Sequence, residues 1–137
     1  MKAMISFSSG IVFIISLCLL IPAVGAQEAG KLEVVAAAVC KNVVGREAVD
    51  VGNRFPSSTP RLYCFTKIVG AGQPTEIVHV WSYSDVERAR ISLPVKASSW
   101  RTYSSKAIQA HEIGPWRVDV LDTSGNLLET INFEITQ

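Results

Sequence analysis

Apolar and polar residues alternate with a period of two along most of the chain after residue 31. The alternating runs are rich in β-branched and aromatic residues, and Gly, Pro, Ser and Asp separate them. Because successive side chains of a strand point to opposite faces of a sheet, this pattern predicts short β-strands joined by turns. The strands are predicted at Arg61–Val69, Thr75–Tyr83, Ala89–Val95, Trp116–Leu121 and Leu127–Ile135.

The remaining segments complete an all-β prediction. Leu32–Cys40 is apolar at both alternating sets of positions, and its length favours a buried strand over a helix fragment. Gly45–Pro60 is rich in turn residues and is typical of a connection, whereas Asp122–Asn126 is typical of a hairpin loop. The single helical turn is expected at Ser105–Glu112. Six to seven short strands predict an immunoglobulin-like β-sandwich.

The N-terminus has the layout of a secretory signal peptide. Lys2 gives a basic start, an apolar stretch follows at Ile11–Ile21, and the small residues Val24 and Ala26 stand where a signal peptidase requires them. A membrane anchor is the alternative, but a spanning helix needs ~20 apolar residues and this stretch is shorter. We therefore expect cleavage after Ala26, no stable membrane span afterwards, and a periplasmic or extracellular location.

Cleavage leaves one domain of ordinary size. Removing 26 of the 137 residues leaves 111, of which 27–31 form a short leader and 32–137 the predicted sandwich. Loss of Lys2 from the 13 basic residues leaves 12, which balance the 12 acidic residues. Nucleic acid is therefore not an expected partner, because it binds mainly through excess Lys and Arg. The sequence predicts no oligomeric state.

Cleavage also removes Cys18 and leaves Cys40 and Cys64 as a pair. In an oxidising compartment two such thiols predict a disulfide bond. The alternative is two free thiols buried as small apolar groups. Their spacing is not that of a CxxC redox motif.

Five short motifs stand out along the chain: Cys40 followed by 45–49 (GREAV), 62–66 (LYCFT), 79–81 (HVW), 100–106 (WRTYSSK) and 114–118 (GPWRV). Together they resemble one bacterial family, the domain of unknown function 2914. The similarity runs from about Leu32 to Ile135, with Ala48 where we expect the family to favour proline. The resemblance implies a single domain and supplies no activity, ligand or catalytic residue.

A first candidate surface lies on the predicted strand at 75–83. Alternation places His79, Trp81 and Tyr83 on one face, with Val78 and Val80 on the other, which we predict to be the core face. Rings with polar edges can stack on a sugar or on a partner's side chains. The alternative is that Trp81 fills the centre of the sandwich.

A second candidate surface lies at 98–106, where hydroxyls surround Trp100, Arg101, Tyr103 and Lys106. This combination of donors and rings suits a carbohydrate or an anionic group. The alternative is structural, with Arg101 paired to a carboxylate such as Glu76 or Asp85 and the hydroxyls bonded to irregular backbone.

No catalytic motif occurs in the sequence. There is no nucleophile elbow, phosphate loop or HExxH, and a zinc site at His79, His111 and Glu112 has no supporting ligand spacing. We therefore expect no metal, no cofactor and no enzyme activity. The predicted function is an extracytoplasmic binding or accessory module that presents the two candidate surfaces to a glycan or a protein partner. The alternative is a structural or assembly subunit of an envelope complex, acting through an exposed strand edge.

Overall fold

The computed structural model describes residues 31–137, so the predicted signal peptide and most of the leader lie outside the described residues. Across this range the chain is all-β, and it has no helix long and apolar enough to cross a membrane. The strands are β1 (Glu33–Val44), β2 (Glu47–Val51), β3 (Arg54–Pro56), β4 (Arg61–Val69), β5 (Thr75–Tyr83), β6 (Val86–Val95), β7 (Ser99–Ala107), β8 (Gly114–Leu121) and β9 (Leu127–Thr136).

The strands form two sheets, which we call the front and back sheets. The front sheet has the order β2-β1-β4-β7, and the back sheet the order β3-β9-β8-β5-β6. All neighbouring strands are antiparallel except β3 and β9, which are parallel. This arrangement confirms the predicted β-sandwich. Trp81, fully buried on β5 in the back sheet, occupies the kind of position at which immunoglobulin-like sandwiches carry their core tryptophan.

The core lies between the sheets and is centred on aromatic rings. Phe133 of β9 contacts Trp81 edge-on at 6.0 Å between ring centroids, and it stacks on Trp116 at 5.9 Å. Such pairs add about 0.5–1.5 kcal/mol each beyond the burial of apolar area. A second, smaller cluster around Ile68 and Ile77 fills one end of the sandwich.

The structure corrects three boundaries of the prediction. Gly45–Pro60 is not a connection, because it contains β2 and β3. All but the first residue of the polar stretch at 98–106 belongs to β7, which pairs with β4 along its whole length. The predicted helical turn at Ser105–Glu112 is wrong, since Ser105 to Ala107 complete β7 and a short turn follows.

The predicted disulfide is also corrected, since Cys40 and Cys64 are both free and buried. Cys64 on β4 lies opposite Val39 on β1, whereas Cys40 lies opposite Tyr63. Paired residues share a face and neighbouring residues do not, so the two thiols belong to opposite faces of the front sheet. A bond between them would require backbone movement.

Candidate functional site

The two predicted site residues at the centre of β5 lie in the core. His79 and Trp81 are fully buried with Ile77, whereas Val78 on the opposite face is only half-buried. The prediction that Val78 and Val80 face the core is therefore wrong for this strand. It follows that His79 and Trp81 do not present their rings to a ligand at the surface.

His79 belongs to a hydrogen-bonded chain that spans the space between the sheets. Trp81 Nε1 donates to Ser104 Oγ at 3.0 Å, and Ser104 Oγ lies 2.6 Å from His79 Nδ1. On the other side of the ring, His79 Nε2 lies 3.2 Å from Thr66 Oγ1, which donates to the Thr102 carbonyl oxygen at 3.4 Å. Burial lowers the pKa of His79 to about 4, so the ring is neutral at physiological pH.

Two further predicted site residues, Tyr83 and Lys106, each donate a hydrogen bond to a backbone carbonyl oxygen, and they lie apart from each other. The Tyr83 hydroxyl donates to the Ile113 carbonyl oxygen at 2.7 Å, and its ring lies 5.1 Å from the Trp116 ring. Lys106 donates from Nζ to the carbonyl oxygen of Ala107 at 2.9 Å. Neither residue lies with the remaining candidates.

The remaining candidates meet a hairpin that the sequence did not predict. We call β1 from Lys41 onward, its turn and β2 the β1–β2 hairpin. Its turn takes positive φ at Gly45 (56°) and Arg46 (62°), as a two-residue type I′ turn requires.

The tip of the β1–β2 hairpin reaches β7, although β1 and β4 separate β2 from β7 in the sheet. At 4.7–4.9 Å per strand spacing, a flat sheet would hold β2 and β7 more than ~14 Å apart. Instead, the Arg46 guanidinium lies 5.8 Å from the centroid of the Trp100 ring, and Arg101 Nη1 lies 3.3 Å from Glu47 Oε1. The hairpin therefore folds across the outer face of the front sheet.

Phe65 provides independent evidence that the hairpin lies across the outer face of the front sheet. It pairs with the exposed Tyr103 on the outer face of the sheet, yet it is only 9% exposed. The hairpin and its neighbours thus cover part of a face that would otherwise be open to water.

The space between the hairpin tip and the edge of β7 is a cleft of about 200 Å³, which we call the cationic cleft. It brings together three of the predicted residues, Trp100, Arg101 and Tyr103, and adds the cations Arg46 and Lys96. Arg101 pairs with Glu47 and not with the predicted Glu76 or Asp85. The full lining is Arg46, Phe65, Pro94, Lys96, Trp100, Arg101, Thr102 and Tyr103.

Sequence reasoning missed Arg46 and Lys96 because they approach from other elements. Arg46 stands in the turn of a hairpin whose strands are mostly exposed and lack a clear alternating pattern. Lys96 directly follows the last residue of β6, an edge strand of the back sheet. The sequence contains one signal for this hairpin, which is Gly45 before Arg46. A glycine adopts the positive φ of a tight turn without steric cost.

A wider depression of about 820 Å³ lies at one end of the sandwich, away from this chemistry. Its carboxylate, Asp122, accepts hydrogen bonds from the backbone of Ser124 and Asn126 in its own turn. Among the described residues, no group of three or more His, Cys, Asp or Glu side chains is arranged to hold a metal ion.

Comparison with protein families gives one match, over residues 74–135, to the family described as "Protein of unknown function (DUF2914)". Residues 74–135 belong to the DUF2914 family. This match confirms the family assignment made from the motifs at 79–81, 100–106 and 114–118. The DUF2914 match covers β5 to β9, including Lys96, Trp100, Arg101 and Tyr103, while β1 to β4 and the β1–β2 hairpin lie outside it.

Comparison with curated proteins finds no match to this DUF2914 chain. Among solved structures, it is similar to the crystal structure of beta-D-glucoside glucohydrolase from Trichoderma reesei, with a TM-score of 0.45 and 12% sequence identity. That similarity covers 78% of this chain and 19% of the other. The chain therefore spans about a fifth of the length of that protein.

Proposed function

We propose that this DUF2914 protein is a non-catalytic, extracytoplasmic binding module whose cationic cleft takes the carboxylate group of an acidic glycan. The observation that carries the proposal is the convergence of Arg46, Lys96 and Arg101 beside an exposed aromatic ring, Tyr103. Arg46 and Arg101 offer planar forks that match a carboxylate, and Lys96 offers a point charge.

A sugar ring suits the cleft better than a larger ligand. Pockets for drug-sized molecules occupy about 300–1,000 Å³, and the cationic cleft is smaller than this range at about 200 Å³. Tyr103, which is 48% exposed, provides an apolar ring face with a hydroxyl at its edge. Trp100 is half-buried, and Arg46 lies over its ring, so Trp100 positions Arg46 and leaves stacking to Tyr103.

The proposed location follows from the signal-peptide pattern at 1–26. Acidic polysaccharides are encountered outside the cytoplasm, so the location and the ligand class support each other. Mass spectrometry of protein recovered from its native cell should find Gln27 as the first residue. Recovery of protein that still begins at Met1 would contradict the location.

The binding proposal is tested by calorimetric titration with trigalacturonic acid, using the neutral trisaccharide maltotriose for comparison. We expect trigalacturonic acid to bind and maltotriose not to bind. Arg101→Gln should weaken binding about tenfold or more, since a hydrogen bond to a charged group contributes about 1.5–3 kcal/mol. Arg54→Gln is the matched control, because Arg54 also forms an exposed ion pair, with Glu134, but lies on β3 outside the cleft.

Other results would overturn the proposal. Equal affinity for both sugars would show that the cations are not used. Preference for a hexaglutamate peptide over trigalacturonic acid would indicate a protein partner. Equal loss on Arg54→Gln and Arg101→Gln would indicate nonspecific electrostatic attraction.

The alternative role in assembly is favoured by one observation. β2 is an edge strand that exposes Val49 and Val51 to solvent. Exposed edge strands are templates for pairing with another chain. Concentration-dependent self-association in sedimentation velocity, abolished by Val51→Lys, would favour this role over glycan binding.

A further inference from the structure

Glu47 occupies the fork that a ligand carboxylate would need. Its Oε1 lies 3.3 Å from Arg101 Nη1, at the tip of the β1–β2 hairpin. The contact has the same chemistry as the proposed complex, since a carboxylate faces a guanidinium in both. One cation of the cationic cleft is therefore already paired with an anion supplied by the protein itself.

The ion pair between Glu47 and Arg101 is weak enough to be displaced. The Glu47 side chain is 71% exposed and that of Arg101 is 42% exposed. Exposed ion pairs contribute little to stability because water and salt screen them. The tip also contacts β7 through the Arg46 guanidinium, which lies over the Trp100 ring.

The hairpin also covers a group that reports its position. Cys40 lies on the outer face of the front sheet and is fully buried. Burial raises the pKa of its thiol, partly offset by hydrogen bonds from the backbone of Val49 and Asn42. Val49 belongs to β2, so lifting the hairpin removes cover from Cys40. Cys64, which is buried in the core, stays protected.

We propose that Glu47 is an autoinhibitory latch, which holds the β1–β2 hairpin closed on Arg101 and must leave before an external carboxylate can bind there. This inference rests on the proposed function for the identity of the competing anion. Glu47 at Arg101 and an external carboxylate at Arg101 then exclude each other. Opening of the hairpin precedes binding, and the apparent affinity of the cleft is reduced by the closed fraction.

The first test needs no ligand. The purified protein is treated with N-ethylmaleimide, and the labelling rates of Cys40 and Cys64 are followed separately by peptide mass spectrometry. Glu47→Gln should raise the rate at Cys40 about two- to fivefold, the range set by the small contribution of an exposed ion pair. The rate at Cys64 should not change.

Glu87→Gln is the matched control for labelling. Glu87 forms an exposed ion pair with Arg90 on β6, away from the hairpin. Its substitution should leave the labelling of Cys40 unchanged. Equal rates at Cys40 in Glu47→Gln and Glu87→Gln would overturn the latch, whatever the protein binds.

The second test is the affinity for trigalacturonic acid. Glu47→Gln should bind about two- to fivefold more tightly than the wild type, by the same reasoning. Asp50→Asn removes one negative charge from the same hairpin without a contact to Arg101, and it should change affinity much less. An equal gain in affinity in Asp50→Asn would show that the gain comes from the change in net charge. It would overturn the proposal that the ligand displaces Glu47.

The two proposals fail in different ways. Suppose that the wild type binds trigalacturonic acid and Glu47→Gln gains neither affinity nor labelling at Cys40. The proposed binding at the cleft is then retained, and the proposed latch is rejected. If neither protein binds, the proposed function falls and the displacement with it. A gain in labelling without binding would then show only that Glu47 holds the hairpin closed.

Discussion

At the scale of single residues, the buried polar chain through His79 has a fixed direction. Trp81 Nε1 can only donate, and the Thr102 carbonyl oxygen can only accept. Because the one hydroxyl proton of Thr66 goes to the Thr102 carbonyl oxygen, Thr66 accepts from His79 Nε2. The neutral ring then accepts from Ser104 at Nδ1. Every member is satisfied only when the imidazole is neutral with its proton on Nε2.

This arrangement predicts a pH-dependent stability. The pKa of His79 is lowered to about 4 by burial, from 6.5 in an unfolded chain. The unfolded state therefore binds more protons between these values, and the free energy of unfolding should fall as pH drops from 6.5 to 4. The full loss is about 3 kcal/mol at most, and urea denaturation at pH 7.5, 5.5 and 4 measures it.

His79→Gln should lower stability at pH 7.5 but flatten the dependence between pH 6.5 and 4. His111→Gln is the control, because His111 is exposed. It should retain the wild-type slope. An unchanged slope in His79→Gln would show that other groups govern the acid response.

The sequence indicated which residues of β5 share a face but not which face is buried. Ile77, His79 and Trp81 do lie together, as alternation requires. The choice of face failed because Val80 on the opposite side is also buried, so both sides of this interior strand are apolar. The hydroxyl partners of His79 lie on β4 and β7, and sequence alone does not bring them near.

At the scale of elements, prediction succeeded for strands with a run of alternating or continuous apolar residues and failed for strands without one. β4 and β5 were predicted with their observed bounds, because one face of each packs in the core. β2 and β3 were missed because they have only five and three residues, too few for a clear alternating pattern, and lie among turn residues. β7 was not predicted as a strand because its apolar residues show no clear alternation. Its polar side chains lie at a cleft and at the edge of the sheet.

The turn of the β1–β2 hairpin offers a test of how independently this element moves. Gly45 has φ of 56°, and a Cβ there would meet no atom within 4 Å. Gly45→Ala should therefore act through backbone strain alone, at about 1–2 kcal/mol. We expect faster maleimide labelling of Cys40 with little change in the labelling of Cys64.

Gly52→Ala is the control for this substitution. Gly52 does not have positive φ, and its added Cβ would make ordinary contact with Phe55 at 3.5 Å. It should leave the labelling of Cys40 close to that of the wild type. Parallel acceleration at Cys64 in Gly45→Ala would mean that the hairpin and the core open together.

At the scale of the whole molecule, the neutral charge balance conceals a local excess. Residues 27–137 have equal numbers of acidic and basic residues, yet three cations and one carboxylate meet at the cationic cleft and the hairpin tip. Composition alone predicts no nucleic-acid partner, and it could not reveal this local site. The site depends on chain segments about 50 residues apart, as in the pair formed by Glu47 and Arg101.

The free thiols predict that reductant does not change the stability of the folded protein. A disulfide contributing about 3 kcal/mol would raise the unfolding midpoint by roughly 10 °C or more in a domain of this size. We expect the midpoint measured by circular dichroism to be the same with and without dithiothreitol. A lower midpoint in dithiothreitol would contradict the separation of Cys40 and Cys64 on opposite faces of the front sheet.

The opposed thiols of the front sheet also bear on how the protein is recovered after denaturation. Within residues 31–137 the chain is held by packing and hydrogen bonds without a covalent cross-link. Refolding from urea should consequently need neither an oxidant nor a disulfide isomerase. It should also produce no scrambled isomers, so dilution into buffer alone returns a uniform product.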